Sequence, residues 1–282
     1  AVSGRFRGLG MSTNTGSMTS GSVTALEAGG AGLYAIGAYF NEVLREQDSL
    51  ALISIYEATT GNSWNGSTGW QSDNLDNWLR VTLVDKRVTE LNLSDNNLSG
   101  SFPLITSGLE ELVNLNLSNN ELTFVADLAN LGALQDLDVS GNRLQFGSLE
   151  SVILAAPGVL YGPQKEVLTR VRSLESIGST YTVDRTVTGS GNSYTWIKNG
   201  SALAVTTPTF DVTINDFTAD GTYIARVTNT NVPGLTLTTT PVVLRASSLE
   251  RDSTSLIAIY DSLQGSNSTL TDWPNLPIAQ WS

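Results

Sequence analysis

The chain has no cysteine and no histidine among its 282 residues. Without cysteine there is no disulfide framework, no thiol chemistry and no thiolate metal site. Without histidine there is no Ser-His-Asp triad, no imidazole-bound zinc and no histidine general base. Long apolar runs are missing too. The apolar part of "AGLYAIGAYF" is short and broken by glycine, so no segment reads as a membrane-spanning helix. Positive charge is scarce: 15 Lys and Arg stand against 27 Asp and Glu, a formal net charge of −12. That balance opposes a phosphate backbone and argues against nucleic acid as a partner. No signal peptide is visible, and the chain opens at Ala1 without a Met, which fits a removed leader or an excerpt of a longer protein.

What is present is a chain with 40% apolar content, enough to bury one or two cores. Its most regular feature is the stretch "RVTELNLSDNNLSGSFP" at 87–103. Leu91, Leu93, Asn96 and Leu98 follow the frame L-x-x-L-x-L-x-x-N-x-L from Val88. Leu112, Leu115, Leu117, Asn120 and Leu122 fill it again, as do Leu134, Leu137, Val139, Asn142 and Leu144. The steps from Leu91 to Leu115 and Leu137 are 24 and 22 residues, inside the roughly 20–29 residue window of leucine-rich repeats. In L-x-L both leucines of a short strand point one way. A single coil cannot bury that row, whereas about three or more stacked coils can. Asn96, Asn120 and Asn142 are expected to satisfy backbone groups left unpaired by the sharp turn after each strand, as a buried ladder. A degenerate fourth strand is expected at Val159, Leu160 and Tyr161.

Before the repeats, Asp48 or Ser49 is expected to cap a helix carrying Leu52, Ile55 and Tyr56 at helical spacing. Trp64, Trp70 and Trp78 follow. An open repeat array must cover its first coil, and tryptophans bury a large area with few residues, so residues 48–86 read as an N-terminal cap. After the repeats the period changes to short alternating strands between Gly, Asn and Pro turns. Trp196 in "YTWIKNG" takes the place of an immunoglobulin-like core tryptophan. Asp220, Gly221 and Tyr223 in "ADGTYIARVTN" match a tyrosine corner, and Ala225 stands where antibody domains carry Cys.

The stretch "DSTSLIAIYDS" at 252 repeats "DSLALISIYEA" at 48, and Trp281 falls near where Trp78 stands in the first copy. A second repeat cap is therefore expected over 248–282. Gly32, Tyr34 and Ile36 line up with Gly221, Tyr223 and Ala225, so residues 1–47 read as part of a preceding immunoglobulin-like module or as an N-terminal segment. A helix over 23–47 is the rival reading, favoured by alanine and opposed by Gly29, Gly30, Gly32 and Gly37. The expected fold is mainly β with some α. It comprises a short leucine-rich repeat solenoid over 87–165 with a helical N-terminal cap, followed by an immunoglobulin-like β-sandwich over 166–247.

On "LNLSDNNLSGSFP", "DSLALISIY", "LYGPQKEV" and "GTYIARVTN", residues 48–282 resemble bacterial cell-surface and secreted proteins in which plant-type leucine-rich repeats alternate with immunoglobulin-like domains. The resemblance implies a modular, exported, non-catalytic adhesin or surface receptor, and transfers no ligand residues. Outward strand residues are expected to form rows on a concave face: Glu90, Asn114 and Asp136, then Asn92, Asn116 and Asp138, then Ser94, Ser118 and Ser140. They are free of the core's demands and suited to a protein or glycan ligand. No catalytic residue, cofactor or metal site is expected, and the only catalysis left open is that of paired carboxylates. The alternative is an extracellular filament in which the partial module at one end of a chain completes the other end of the next. Ile257, Ile259, Tyr260, Trp273 and Trp281 would then need a partner surface.

Overall fold

The computed structural model describes residues 30–247, together with 258, 259 and 262. The chain divides into two compact units, residues 1–44 and 45–282. Helix α1 (Gly30–Ala58) runs through Gly32, Tyr34 and Ile36, so the strands expected there are replaced by helix. The glycines cost roughly 1 kcal/mol each relative to alanine. Once a helix is nucleated, though, each added residue brings its own hydrogen bond at little further cost, and the 48–58 stretch is already helical. The other residues of the expected partial module, and most of the expected second cap, lie outside the described residues. Of that second cap Ala258, Ile259 and Ser262 are helical.

From the end of α1 to residue 247 the structure is built mainly of strands. Asp48, expected as a helix cap, instead sits inside α1 and is fully buried. Its carboxylate is the ligand of a bidentate Arg87 pair, Nε to Oδ2 at 2.9 Å and Nη2 to Oδ1 at 3.0 Å. It also accepts from the backbone N–H of Val88 at 3.0 Å and of Leu109 at 2.7 Å. A carboxylate buried this deeply is tolerable only because so many donors converge on it. The result ties Asp48 and its turn of α1 to the start of β2 and to the Leu109 backbone ahead of β4.

The array contributes β1 (Val81–Val84), β2 (Arg87–Asn92), β3 (Ser99–Phe102), β4 (Asn114–Asn116), β5 (Glu121–Val125), β6 (Asp136–Asp138), the short helix α2 (Phe146–Val152) and β7 (Gly158–Leu160). One five-stranded sheet runs β1-β2-β4-β6-β7. The β1–β2 pair is antiparallel and every later pair is parallel. Leu91 lies opposite Leu115, Leu115 opposite Leu137, and Leu137 opposite Val159. The three leucines are at most 2% exposed, and burying each stabilises by roughly 1.5–3 kcal/mol. β3 and β5 pair in parallel as a separate two-stranded sheet.

β8 (Val171–Ser176), β9 (Thr180–Asp184), β10 (Asn192–Lys198), β11 (Ser201–Leu203), β12 (Thr209–Thr213), β13 (Gly221–Asn229), β14 (Thr236–Thr238) and β15 (Val242–Ser247) complete the described strands. The order β11-β10-β13-β15-β8 forms one sheet, with β14 also on β13. β9 and β12 pair separately. Trp196 of β10, fully buried, meets Phe210 of β12 edge to face, with ring centroids 4.8 Å apart. Tyr223 donates its hydroxyl to the Ala219 carbonyl at 2.8 Å. Side chains of β13 alternate inward and outward along its length.

The repeats and these strands meet at Glu150, which follows α2's first turn. Its Oε1 accepts from Ser190 N at 2.7 Å and Asn229 Nδ2 at 2.8 Å, and Oε2 accepts from Ser190 Oγ at 3.0 Å. Burial pushes its carboxyl up, but these hydrogen bonds outweigh it and hold it below the usual carboxylate range.

A candidate binding groove on the parallel sheet

The frame that buries the L-x-L leucines turns the intervening residues outward. The strand registers then align those residues across the sheet. Glu90, Asn114, Asp136 and Gly158 form one row, and Asn92, Asn116, Asp138 and Leu160 the next. These eight residues line one open groove of about 750 Å³.

Within the groove the six polar residues are not equivalent. Asn92 Oδ1 accepts from Ser94 N at 3.2 Å and Ser94 Oγ at 2.8 Å. Asn116 Oδ1 does the same with Ser118 at 2.9 and 2.7 Å, and Asp138 Oδ1 with Ser140 at 2.9 and 2.6 Å. One oxygen of each is therefore committed to the turn that follows its strand, a local side-chain-to-backbone closure typical of Asn and Asp. Glu90 Oε1 accepts from Asn114 Nδ2 at 3.1 Å, joining the first two coils. Asp136 is exposed. A Cβ on Gly158 would come within 2.6 Å of Asp136 Oδ1, so glycine at 158 leaves this carboxylate its room. Beyond it Leu160 is 64% exposed, which gives the polar platform an aliphatic end.

Behind the groove, Asn96, Asn120 and Asn142 are at most 1% exposed. Asn120 Nδ2 donates to the carbonyls of Leu93, Leu117 and Ser118, and its Oδ1 accepts from the N–H groups of Asn96 and Leu98. Asn142 repeats this one coil later, donating to Leu117, Val139 and Ser140 and accepting from Leu122 N. Asn96 accepts from Gly66 N at 2.6 Å, which links the preceding segment to the first coil. The amides of Asn120 and Asn142 thus join neighbouring repeats and hold the strands, and so the rows, in register.

Trp64, Trp70 and Trp78 are each at most 8% exposed. Trp64 and Trp70 meet edge to face at 4.8 Å, and Trp70 and Trp78 lie 5.1 Å apart. Their indole N–H groups donate to the carbonyls of Thr59, Leu79 and Ser72. These rings show no open face. Trp196 and Tyr223 are also buried, away from the groove-lining residues.

Sequence reasoning missed Gly158 and Leu160 as groove residues. The signal was the degenerate fourth strand, whose outward positions continue the two rows. It also missed the Ser turns, although the Asx-x-Ser spacing of Asn92, Asn116 and Asp138 was in plain view. Among the described residues, no three His, Cys, Asp or Glu gather to hold a metal. No helix among them is long and apolar enough to cross a membrane.

A leucine rich repeat family model matches residues 86–144. Among solved structures, PEPR1-AtPEP1 is similar over 45% of this chain and 18% of that one, at 23% identity and a TM-score of 0.32. The N-terminal four Ig domains of Dscam1 isoform 4.44 are similar over 27% of this chain and 19% of that one, at 17% identity and a TM-score of 0.24. The chain therefore spans under a fifth of either structure. No curated protein matches the chain.

Proposed function

We propose that the protein is a non-catalytic binding module of an extracellular or cell-surface protein. In this reading residues 87–165 form a short leucine-rich repeat solenoid capped by residues 48–86, and 166–247 an immunoglobulin-like sandwich that holds it. The concave groove is the recognition face. The observation that carries the reading is the alignment of Glu90, Asn114 and Asp136 beside Asn92, Asn116 and Asp138 across parallel strands. A coiled array needs its inward leucines for stability, while outward strand residues are free to vary.

The groove's chemistry fits a protein segment with a cationic side chain for Asp136 and the outer oxygen of Asp138, and an aliphatic one for Leu160. Amides at Asn92, Asn114 and Asn116 offer donors to such a segment's carbonyls. Paired carboxylates that could cleave a glycosidic bond need a substrate-enclosing cleft, and the open groove does not favour that chemistry.

The test is a binding screen of immobilised protein segments and glycans with Asp136→Ala, Asn116→Ala and a Phe124→Ser control on the exposed Phe124 outside the groove. Loss of binding in the Asp136 variant with retention in the control supports the groove. Binding unchanged by both groove variants moves the site elsewhere.

A further inference from the structure

The six-stranded sheet carries an outward face whose character is opposite to the groove. Arg172 and Leu174 of β8 are exposed, and the register sets Arg172 beside Val243 and Leu174 beside Arg245 of β15. These four side chains line an open depression of about 460 Å³. Thr222 lies beside Val243, which puts the exposed Arg226, four residues further along β13, on the same face. Leu174 is 68% exposed. Arg245 reaches Asp220 only at 3.5 Å. Three arginines on one face of a chain of net charge −12 are poorly explained by solubility alone, since acidic groups already supply that.

We infer that this arginine face docks into the acidic groove of a second copy of the same chain. The inference rests on the groove being a recognition face and names its partner. Two arguments select a second copy. The charges are complementary: Glu90, Asp136 and Asp138 line one surface, and Arg172, Arg226 and Arg245 the other. The two surfaces also share a grid. Both are sheets with strands about 4.8 Å apart and same-face residues about 6.6 Å apart along each strand. In the groove, Asp136 and Asp138 flank Gly158 and Leu160; on the opposing face, Arg172 and Arg245 lie diagonally about Leu174 and Val243. An arginine can therefore meet an aspartate, in the planar fork geometry that suits a carboxylate, while Leu174 meets Leu160 beside the notch over Gly158. Groove and face are different patches of one molecule, so the contact is head-to-tail and propagates into a ring or filament.

The experiment is sedimentation of the full chain over a range of concentrations at about 0.15 M salt, where net repulsion beyond roughly 8 Å is screened. The wild-type chain is expected to give species larger than the monomer at rising concentration. Arg172→Glu with Arg245→Glu, and separately Asp136→Arg with Asp138→Arg, are each expected to weaken association at least tenfold. Mixing the two doubly reversed proteins restores it, because each then offers what the other lacks. Leu174→Asp, which leaves every charge pair's arginine in place, is expected to weaken association as well. Association unaffected by either reversal, or not restored on mixing, overturns the inference, as does a wild-type chain monomeric throughout. A synthetic Arg-Val-Arg-Ser-Leu-Glu-Ser peptide separates the two readings. If it binds the groove while the chain stays monomeric, the groove remains a recognition face and only self-docking fails.

Discussion

Arg87 grips Asp48 through two guanidinium nitrogens, at 2.9 and 3.0 Å, across the join between helix α1 and strand β2. Both groups are largely removed from water, with side-chain exposures of 11% and 0%. The Asp48 and Glu110 carboxylates hold the Arg87 guanidinium above its ordinary pKa, chiefly through the Asp48 hydrogen bonds and against the opposing effect of burial. Removing one partner of a buried pair leaves the other uncompensated, at about 3–5 kcal/mol. Arg87→Ala is therefore expected to lower unfolding free energy by about that amount in urea titrations, with Glu110→Ala, at the exposed end of the same network, costing about 1 kcal/mol or less.

The asparagine behind each strand is expected to behave unlike its exposed neighbour. Asn120→Ala leaves the N–H groups of Asn96 and Leu98 without their acceptor and takes a donor from the carbonyls of Leu93, Leu117 and Ser118, and each N–H left unpaired and dry costs roughly 1–3 kcal/mol. Asn97, exposed one residue past Asn96, donates only to the Ser63 carbonyl at 2.9 Å. Thermal unfolding of Asn120→Ala and Asn97→Ala measures the contrast, and the first is expected to be the severe one.

In the groove, stability and binding are expected to separate. Asn116→Ala removes the acceptor that closes the turn at Ser118 and is expected to cost about 1 kcal/mol. Asp136→Ala removes an exposed carboxylate and is expected to stay within about 0.5 kcal/mol of the parent. Calorimetry on the two variants checks this before any binding result is interpreted.

The Glu150 joint predicts a pH dependence. Its folded pKa lies below the unfolded value, with the Ser190, Asn229 and Asn231 hydrogen bonds outweighing burial. Its contribution is fully present above the unfolded value of about 4.3 and is lost as pH falls through the lowered folded value. As pH drops from 5 to 3 the chemical exchange rate itself falls, and hydrogen exchange at the Ser190 amide is expected to run increasingly in excess of what that falling rate dictates, because protection is lost with the Glu150 carboxylate. Glu150→Gln is expected to remove that excess.

Much of the repeat architecture was legible because the frame is periodic and every letter has one physical job. Leu91, Leu115 and Leu137 announce inward strand positions, and the fourth strand was readable at Val159 even though valine there replaces the inward leucine. Asp48 was misread because its spacing ahead of Leu52 and Ile55 imitates a helix cap, while its actual partners, Arg87 and the Leu109 amide, lie 39 and 61 residues away. The strands expected at Gly32, Tyr34 and Ile36 failed for a related reason: a three-residue match carries less weight than a helix already nucleated next door. At the groove, the rows were legible from alternation alone. The demotion of Asn92, Asn116 and Asp138 to half-committed turn closers was not read, since their Ser partners looked like a third row of surface residues.

The central claim is that parallel coils stack in a register that aligns the outward residues into rows. A chain without cysteine makes this directly measurable by paired substitution. Asn114→Cys with Asp136→Cys places two thiols on directly paired residues of adjacent strands, about 4.8 Å apart at Cα and within disulfide reach. Asn114→Cys with Asp138→Cys offsets them diagonally to about 8 Å, beyond it. Mild oxidation is expected to close the first pair in the monomer and leave the second open; closure of the second in preference to the first would contradict the register on which the groove depends.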